Sequence, residues 1–253
     1  MAQKMFSKAI PAALMLLAAA GSAQAAINGV FYKDRLFNDY PDSNLTVVRN
    51  FPTQIKYTET NFGSGGFANR HSAYFSEDGG TSPKDFNYGD AFDVCTTLDL
   101  DATPAGGREG GFHIDQFGLG IFGVLPNGEI ANFGSVLPFY SAGIVWTPGA
   151  PVSLRMTYRP GNGDGVNPST IPSTIEYQYD VGAGFVSSGQ IAFSNLEGGI
   201  VSSFDFFLGL GVQNAGAPGG TSIADFTNIK IPAPAGMAVL GLAGMFASRR
   251  RRA

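Results

Sequence analysis

The chain has 253 residues, among them 35 Gly, 15 Pro and a single Cys, with 16 Lys or Arg against 20 Asp or Glu. Residues 1–25 and 235–253 hold six of the basic residues and none of the acidic ones, so the body between them has a net charge of −10. This acidic body disfavours nucleic acid and anionic lipid as partners, because both are recognised through basic patches. The single Cys excludes an intrachain disulfide.

The first 25 residues have the layout of a secretory signal peptide. Two lysines precede an apolar stretch over residues 10–20, and Ala23 and Ala25 form a small-x-small cleavage site that would leave Ala26 as the mature N-terminus. The sequence therefore predicts the export machinery and a signal peptidase as partners.

The body, residues 26–231, is expected to form one all-β domain. Helical periodicity is nearly absent, and short alternating segments are separated by Gly, Pro, Asn and Asp. Alternation with one wet face is typical of antiparallel sheets, which predicts a two-sheet sandwich. Cys95 is expected to be an inert core residue of a buried strand. The predicted strands cover residues 45–51, 54–59, 67–75, 91–100, 111–125, 129–139, 152–159, 173–180, 186–193, 204–213 and 223–231.

Two segments, residues 117–122 and 207–212, share an alternating pattern of glycine and apolar residues. Glycine at every second position leaves one face of a strand bare, which permits close approach of another backbone or of a flat ligand. Tight curvature of the sheet is the other explanation, because glycine in strands often marks bends and bulges.

Carboxylates that could catalyse glycoside hydrolysis are sparse. A retaining enzyme needs two carboxyl groups about 5–5.5 Å apart. Glu176 and Asp180 share one face of a predicted strand, but the tyrosines between them mark the opposite face as the core side. Asp99 is a further candidate. Paired acids on a strand usually belong to its wet face, so no complete catalytic motif is predicted.

Two segments are candidates for metal binding. His113 and Asp115 share one strand face, but no third ligand lies nearby, so we interpret them as polar residues of a solvated face. Asn162, Asp164 and Asn167 alternate with glycine, a pattern that suits calcium. A plain turn is the alternative, since these residues favour turns on their own account. No cofactor other than calcium is indicated.

Aromatic residues provide candidates for stacking against sugars. Trp146 and Tyr140 are the chosen ligand candidates; Phe139, Tyr74 and Tyr88 are also available.

The C-terminus combines three features. Pro232-Ala233-Pro234 is followed by an apolar run, residues 235–248, and then by Arg249, Arg250, Arg251 and Arg252. As a helix the run would be about 21 Å long, and the arginines would stay on the cytoplasmic side of the inner membrane. This tail resembles the PEP-CTERM sorting signal, which implies an exosortase-type enzyme as a partner. The family pattern has Glu where Ala233 stands; a simple anchor or basic tail is the alternative.

The body resembles a concanavalin-A-like lectin or glucanase sandwich over residues 85–231. The resemblance lies in Trp146-Thr147-Pro148-Gly149, the strands 152–159 and 173–180, and the closing strand 224–229. It implies a jelly-roll fold. We expect an exported bacterial protein of the cell envelope, surface or extracellular matrix that is non-catalytic and binds polysaccharide. A carbohydrate-active enzyme of this fold and a structural coat protein are the alternatives.

Overall fold

The computed structural model describes residues 27–64, 66–87, 89–103, 107–115, 119–134, 137–161, 171–193, 206–214 and 218–231. Predictions for the signal peptide, its cleavage at Ala23 to Ala26 and the tail from Pro232 onwards fall outside these residues. The calcium candidates Asn162, Asp164 and Asn167 also fall outside them. No helix long and apolar enough to span a membrane occurs in the described ranges.

The described residues form β-strands and no helix, as the alternating sequence pattern predicts. The strands are β1 (Gly29–Asn38), β2 (Asn44–Asn50), β3 (Gln54–Thr60), β4 (Asn69–Ser76), β5 (Asp85–Phe86), β6 (Phe92–Thr103), β7 (Arg108–Asp115), β8 (Leu119–Val124), β9 (Glu129–Phe133), β10 (Tyr140–Ile144), β11 (Val152–Arg159), β12 (Ser173–Asp180), β13 (Val186–Ser187), β14 (Ile191–Phe193), β15 (Phe206–Asn214) and β16 (Thr221–Lys230).

These strands build two antiparallel sheets. Sheet A has the order β1-β4-β15-β7-β8-β9-β10, with β5 also paired to β15. Sheet B has the order β13-β12-β11-β6-β16-β3-β2, with β14 also paired to β12. The last two strands of the body, β15 and β16, therefore lie inside the sheets rather than at their edges.

The core lies between the two sheets. In β11 and β12 buried and half-buried residues alternate strictly, so one face of sheet B packs inward. Phe122 of sheet A meets Tyr177 of sheet B with ring centroids 4.9 Å apart, a contact that joins the two inner faces. The arrangement confirms the predicted antiparallel two-sheet sandwich, in which side chains of both inner faces interdigitate.

Several strand boundaries differ from the prediction. β1 was not predicted, because its register shifts between Lys33 and Phe37 and Arg35 has a φ of 57°, which breaks the two-residue period. The segment 111–125 is two strands rather than one. Residues 129–139 contain only β9, and β10 begins at Tyr140.

The prediction that Cys95 lies in the core was wrong. Val94 and Thr96 are fully buried, so the residue between them points to the outer face of sheet B and is half-buried. Burial still raises the pKa of the Cys95 thiol, against the opposing charge of Arg155.

Candidate functional site

The outer face of sheet A carries a group of polar side chains that are buried although they point away from the core. On β4, Ala73 and Phe75 pack into the core, so the alternating positions occupied by Arg70, Ser72 and Tyr74 face outward. The neighbouring strands β15 and β7 align with them. We call Arg70, Ser72, Tyr74, His113 and Asp115 the outer cluster; their exposed fractions lie between 0% and 6%.

Register brings the outer cluster together across three strands. Tyr74 of β4 lies beside Gly209 of β15, which in turn lies beside His113 of β7. Ser72 lies beside Gly211 in the next row. Polar side chains of the two outer strands thus reach towards each other over the glycines of the central one.

An ion pair and a tyrosine form one half of the outer cluster. Arg70 Nη2 donates to Asp115 Oδ1 at 2.6 Å, and the Tyr74 hydroxyl donates to Asp115 Oδ2. Burial raises the pKa of Asp115, although the guanidinium of Arg70 opposes this. Burial, and then the charge of Asp115, raises the pKa of Tyr74. The carboxylate therefore has both oxygens engaged by neighbouring donors.

His113 and Ser72 form the other half. Ser72 Oγ and His113 Nδ1 share a hydrogen bond of 2.8 Å. Burial, with the charges of Arg70 and His71, holds the pKa of His113 well below its usual range, so the imidazole is neutral. Its Nε2 atom is buried and has no hydrogen-bond partner among the described residues.

Glycine at position 211 makes this placement of the histidine ring possible. A Cβ atom there would lie 2.2 Å from His113 Nδ1 and 2.4 Å from the backbone O of His71. At Gly209 a Cβ would lie 2.3 Å from the backbone O of Ala73. The glycine alternation in β15 therefore serves close approach of neighbouring groups, which was one of the two predicted explanations.

Two less buried positions border the outer cluster. Gln213 Nε2 donates to Glu109 Oε1 at 2.8 Å, and burial raises the pKa of Glu109. At the other end Phe207 packs against Tyr74, with ring centroids 5.8 Å apart, and remains 38% exposed. The outer cluster is thus bordered by an amide–carboxyl pair and by an open aromatic ring.

The outer face of sheet B is different in kind. Its outward positions are half-buried or exposed, and many are Ser or Thr, such as Thr97 and Ser153, whose hydroxyls lie 3.0 Å apart. Arg155 pairs with Asp93 across neighbouring strands there. This is the composition of an ordinary solvated sheet face.

A second polar cluster lies on the core side and was missed in the sequence. Glu59 is fully buried; it accepts hydrogen bonds from Ser43 and Asn69 on one oxygen and from His71 and Asn214 on the other. We call these five residues the inner cluster. It joins β3 and the start of β2 to β4 and β15, and so connects the two sheets.

The predicted ligand residues do not join the outer cluster. Trp146 is buried, with its Nε1 donating to the backbone O of Ala150 at 2.7 Å, so its indole is not open for stacking against a sugar. Tyr140 is half-buried, and its ring stacks on Tyr177 at a centroid distance of 5.4 Å. Its β10 position places it at the edge of sheet A, away from β4, β15 and β7.

The predicted acids lie on sheet B. Glu176 is half-buried and accepts hydrogen bonds from Gln178 and Ser187, while Asp180 accepts from the turn that follows β12. Four residues of strand separate these two acids by about 13 Å. Asp99 is exposed opposite Asp225, which Gln54 and Lys56 already engage.

His113 and Asp115 were expected on a solvated face, and this was wrong because both are buried. The sequence shows that they share one face of β7, because they are two residues apart. Their burial, however, depends on how β4, β15 and β7 lie beside one another. Within the ranges described, no group of three or more His, Cys, Asp and Glu side chains is placed to hold a metal ion.

Comparisons with known proteins add little to this description. No family model and no curated protein matches the chain. Among solved structures, an alginate lyase from Klebsiella pneumoniae is 14% identical, covering 77% of this chain and 85% of its own, with a TM-score of 0.44. Lectin II from Ulex europaeus is 10% identical, covering 80% and 99%, with a TM-score of 0.40. A functionally unknown protein from Saccharomyces cerevisiae is 10% identical, covering 78% and 100%, with a TM-score of 0.44. These values assign neither a family nor an activity to the chain.

Proposed function

We propose that the protein is an exported, non-catalytic surface or extracellular-matrix protein that binds a neutral polysaccharide on the outer face of sheet A. The observation that carries the proposal is the outer cluster itself. Burying a polar group costs free energy unless the group is hydrogen-bonded. Polar residues exposed to solvent on this outward face would not carry that cost. Most polar groups of the outer cluster hydrogen-bond to one another, but Arg70 Nε and His113 Nε2 are buried without a partner among the described residues, which supports a ligand at this face.

The chemistry of this face suits sugar hydroxyls. Arginine, glutamine and histidine offer planar donors and acceptors at fixed angles, and His113 Nε2 has a hydrogen bond left to give or accept. Phe207 adds an open aromatic ring at the border, against which the apolar face of a sugar can pack. A few placed polar groups beside an apolar surface are typical of ligand sites.

Charge favours a neutral ligand over an acidic one. The positive charge of Arg70 is offset by Asp115 at 2.6 Å. The same face also carries the cation Lys33 beside Ser72, and the acids Glu109 and Asp85. The body around it has a net charge of −10. Because acids outnumber cations on this face and in the body, an acidic polymer would meet net repulsion.

The same face argues against acid-pair hydrolysis. Glu109 and Asp115 both have pKa values raised by burial, but they lie six residues apart on one strand, about 20 Å. Known glycosidase pairs are separated by roughly 5–10 Å.

Binding is tested by affinity gels of the purified exported protein cast with soluble β-glucan, xylan, galactomannan or alginate. We expect retardation by at least one neutral polymer and none by alginate. Phe207→Ala should weaken that binding about tenfold, or ~1.4 kcal/mol. Phe185→Ala is the matched control, because this ring is 48% exposed and precedes the sheet B strand β13. Retardation that is equal in both variants, or absent throughout, would refute the site.

One observation favours a carbohydrate-active enzyme as the second candidate. His113 is a neutral imidazole with a free nitrogen, and such a group can take a proton from a substrate. Loss of viscosity in the same polymers, abolished in His113→Asn, would establish the enzyme and reject the non-catalytic function. Absence of both binding and cleavage would favour the structural coat protein.

Export and sorting are tested separately by the intact mass of the secreted form. Cleavage before Ala26 and near Pro234 is expected. A mature protein that retains Met1 and Ala253 would reject both signals.

A further inference from the structure

One N-glycosylation sequon occurs in the chain, and the structure presents it on the surface. Asn44-Leu45-Thr46 fits the pattern Asn-x-Thr, with a middle residue other than proline. Asn167 is followed by proline, which disqualifies it, and no other Asn has Ser or Thr two places later.

The fold places both recognition residues outward. Asn44 and Thr46 are exposed on the same face of β2, while Leu45 and Val47 between and after them pack against the core. β2 is the terminal strand of sheet B and pairs only with β3. The acceptor and the hydroxyl that a transferase must recognise are therefore accessible from the same side of an open edge.

The acceptor amide is also unengaged. Asn44 makes no side-chain hydrogen bond to another described residue, in contrast to the buried Asn69 and Asn214. Ser43, directly before it, is buried and bonded to Glu59 Oε1 at 2.6 Å. This hydrogen bond holds the turn at residues 41–43 in place. Asn44 is the first residue after that turn, and its side chain points outward.

We propose that Asn44 is an N-glycosylation site whose donor is a lipid-linked oligosaccharide pyrophosphate on the exported side of the membrane. In the transfer, the Asn44 amide nitrogen bonds to C1 of the first sugar while the bond from C1 to the pyrophosphate oxygen breaks. The amide loses one proton to a base of the transferase, and the lipid pyrophosphate leaves with the electron pair. The inference needs export but is independent of polysaccharide binding.

A glycan at this place has a structural consequence. The edge of sheet B offers unpaired backbone groups along β2, and open edges invite pairing with other chains. A bulky hydrated group at Asn44 would block that approach while leaving the outer face of sheet A untouched, since the two lie on different sheets.

The test uses the full chain in Gram-negative cells that carry a bacterial oligosaccharyltransferase and its lipid-linked glycan. Trypsin cleavage after Arg35 and Arg49 releases residues 36–49 as one peptide. We expect this peptide from the periplasmic protein to carry the mass of the glycan, located on Asn44 by fragmentation. Thr46→Ser should retain the modification, whereas Asn44→Gln and Thr46→Ala should remove it.

Asn50→Gln is the matched control, because Asn50 is exposed at the other end of the same strand and lies outside any sequon. It should leave the modification unchanged. An unmodified peptide, in cells that glycosylate a second acceptor protein, would overturn the proposal. Retention of the chain in the cytoplasm would overturn it as well, since transfer occurs outside. Binding of polysaccharide by Asn44→Gln separates this site from the function proposed for sheet A.

Discussion

Replacement of Glu59 by glutamine should destabilise the protein strongly at neutral pH. The carboxylate is fully buried, and each of its oxygens receives two hydrogen bonds. Arg35 adds an ion pair at 3.6 Å. An amide nitrogen in place of either oxygen would face donors instead of accepting from them, which leaves buried donors unsatisfied.

The magnitude follows from the pKa of Glu59. Burial alone would raise it, but the hydrogen bonds and charge of His71, with Ser43 and Asn214, lower it from 4.5 to about 2. A difference of this size between the folded and unfolded states corresponds to about 3 kcal/mol. Since the folded-state pKa is the lower one, this stability is complete above about pH 4.5 and is lost as the pH falls towards 2.

Urea unfolding followed by the fluorescence of Trp146, the single tryptophan, measures the effect. Wild type and Glu59→Gln should differ by about 3 kcal/mol at pH 7, and the difference should shrink as the pH falls from about 4.5 towards 2. Glu176→Gln is the control, because this side chain is half-buried on sheet B; its effect should stay within about 0.5 kcal/mol. A wild-type-to-variant difference that is below 1 kcal/mol, or constant with pH, would refute the reasoning.

Three further changes have calculable effects. Gly211→Ala should lower the free energy of unfolding by about 3 kcal/mol in thermal or urea unfolding, because its Cβ would overlap the His113 ring and the backbone carbonyl of His71. At the exposed Gly63 an added Cβ meets nothing within 4 Å, so Gly63→Ala should be neutral. Asp115→Ala should lower the free energy of unfolding by about 3–5 kcal/mol, because it leaves the buried Arg70 unpaired. Asp93→Ala, which removes the more exposed partner of Arg155, should lower it by less than ~1 kcal/mol. Equal losses would contradict the role of burial. Cys95 should react with iodoacetamide at pH 8 several-fold more slowly than a free cysteine peptide, followed by mass spectrometry; an equal rate would show that the thiol pKa is not raised.

The sandwich could be predicted because several strands have one wet face. In β12, Ile175, Tyr177 and Tyr179 alternate with Glu176 and Gln178, and the structure buries the predicted face. β4 offers no such signal. Every residue from Asn69 to Ser76 is buried, so polar and apolar residues follow one another without marking an inside.

The outer and inner clusters could not be predicted from local sequence patterns, because their residues lie far apart in the chain. Tyr74 and Asp115 are 41 residues apart, and Glu59 and Asn214 are 155 apart, so their contacts depend on sheet order. The position of His113 depends in addition on the missing side chain at Gly211. The burial of Trp146 could not be predicted, because a single large aromatic residue gives no indication of which side it faces.

The position of β15 and β16 has a consequence for how the chain acquires its structure. β15 separates β4 from β7, and β16 separates β6 from β3. Until residues 206–230 have been synthesised, each sheet can form only as two separate parts, which together have four unpaired edge strands. Assembly must therefore wait for the end of the body and close long loops, which is slow. A chain whose two sheets both need residues 206–230 cannot complete either of them until the end of the body has been made.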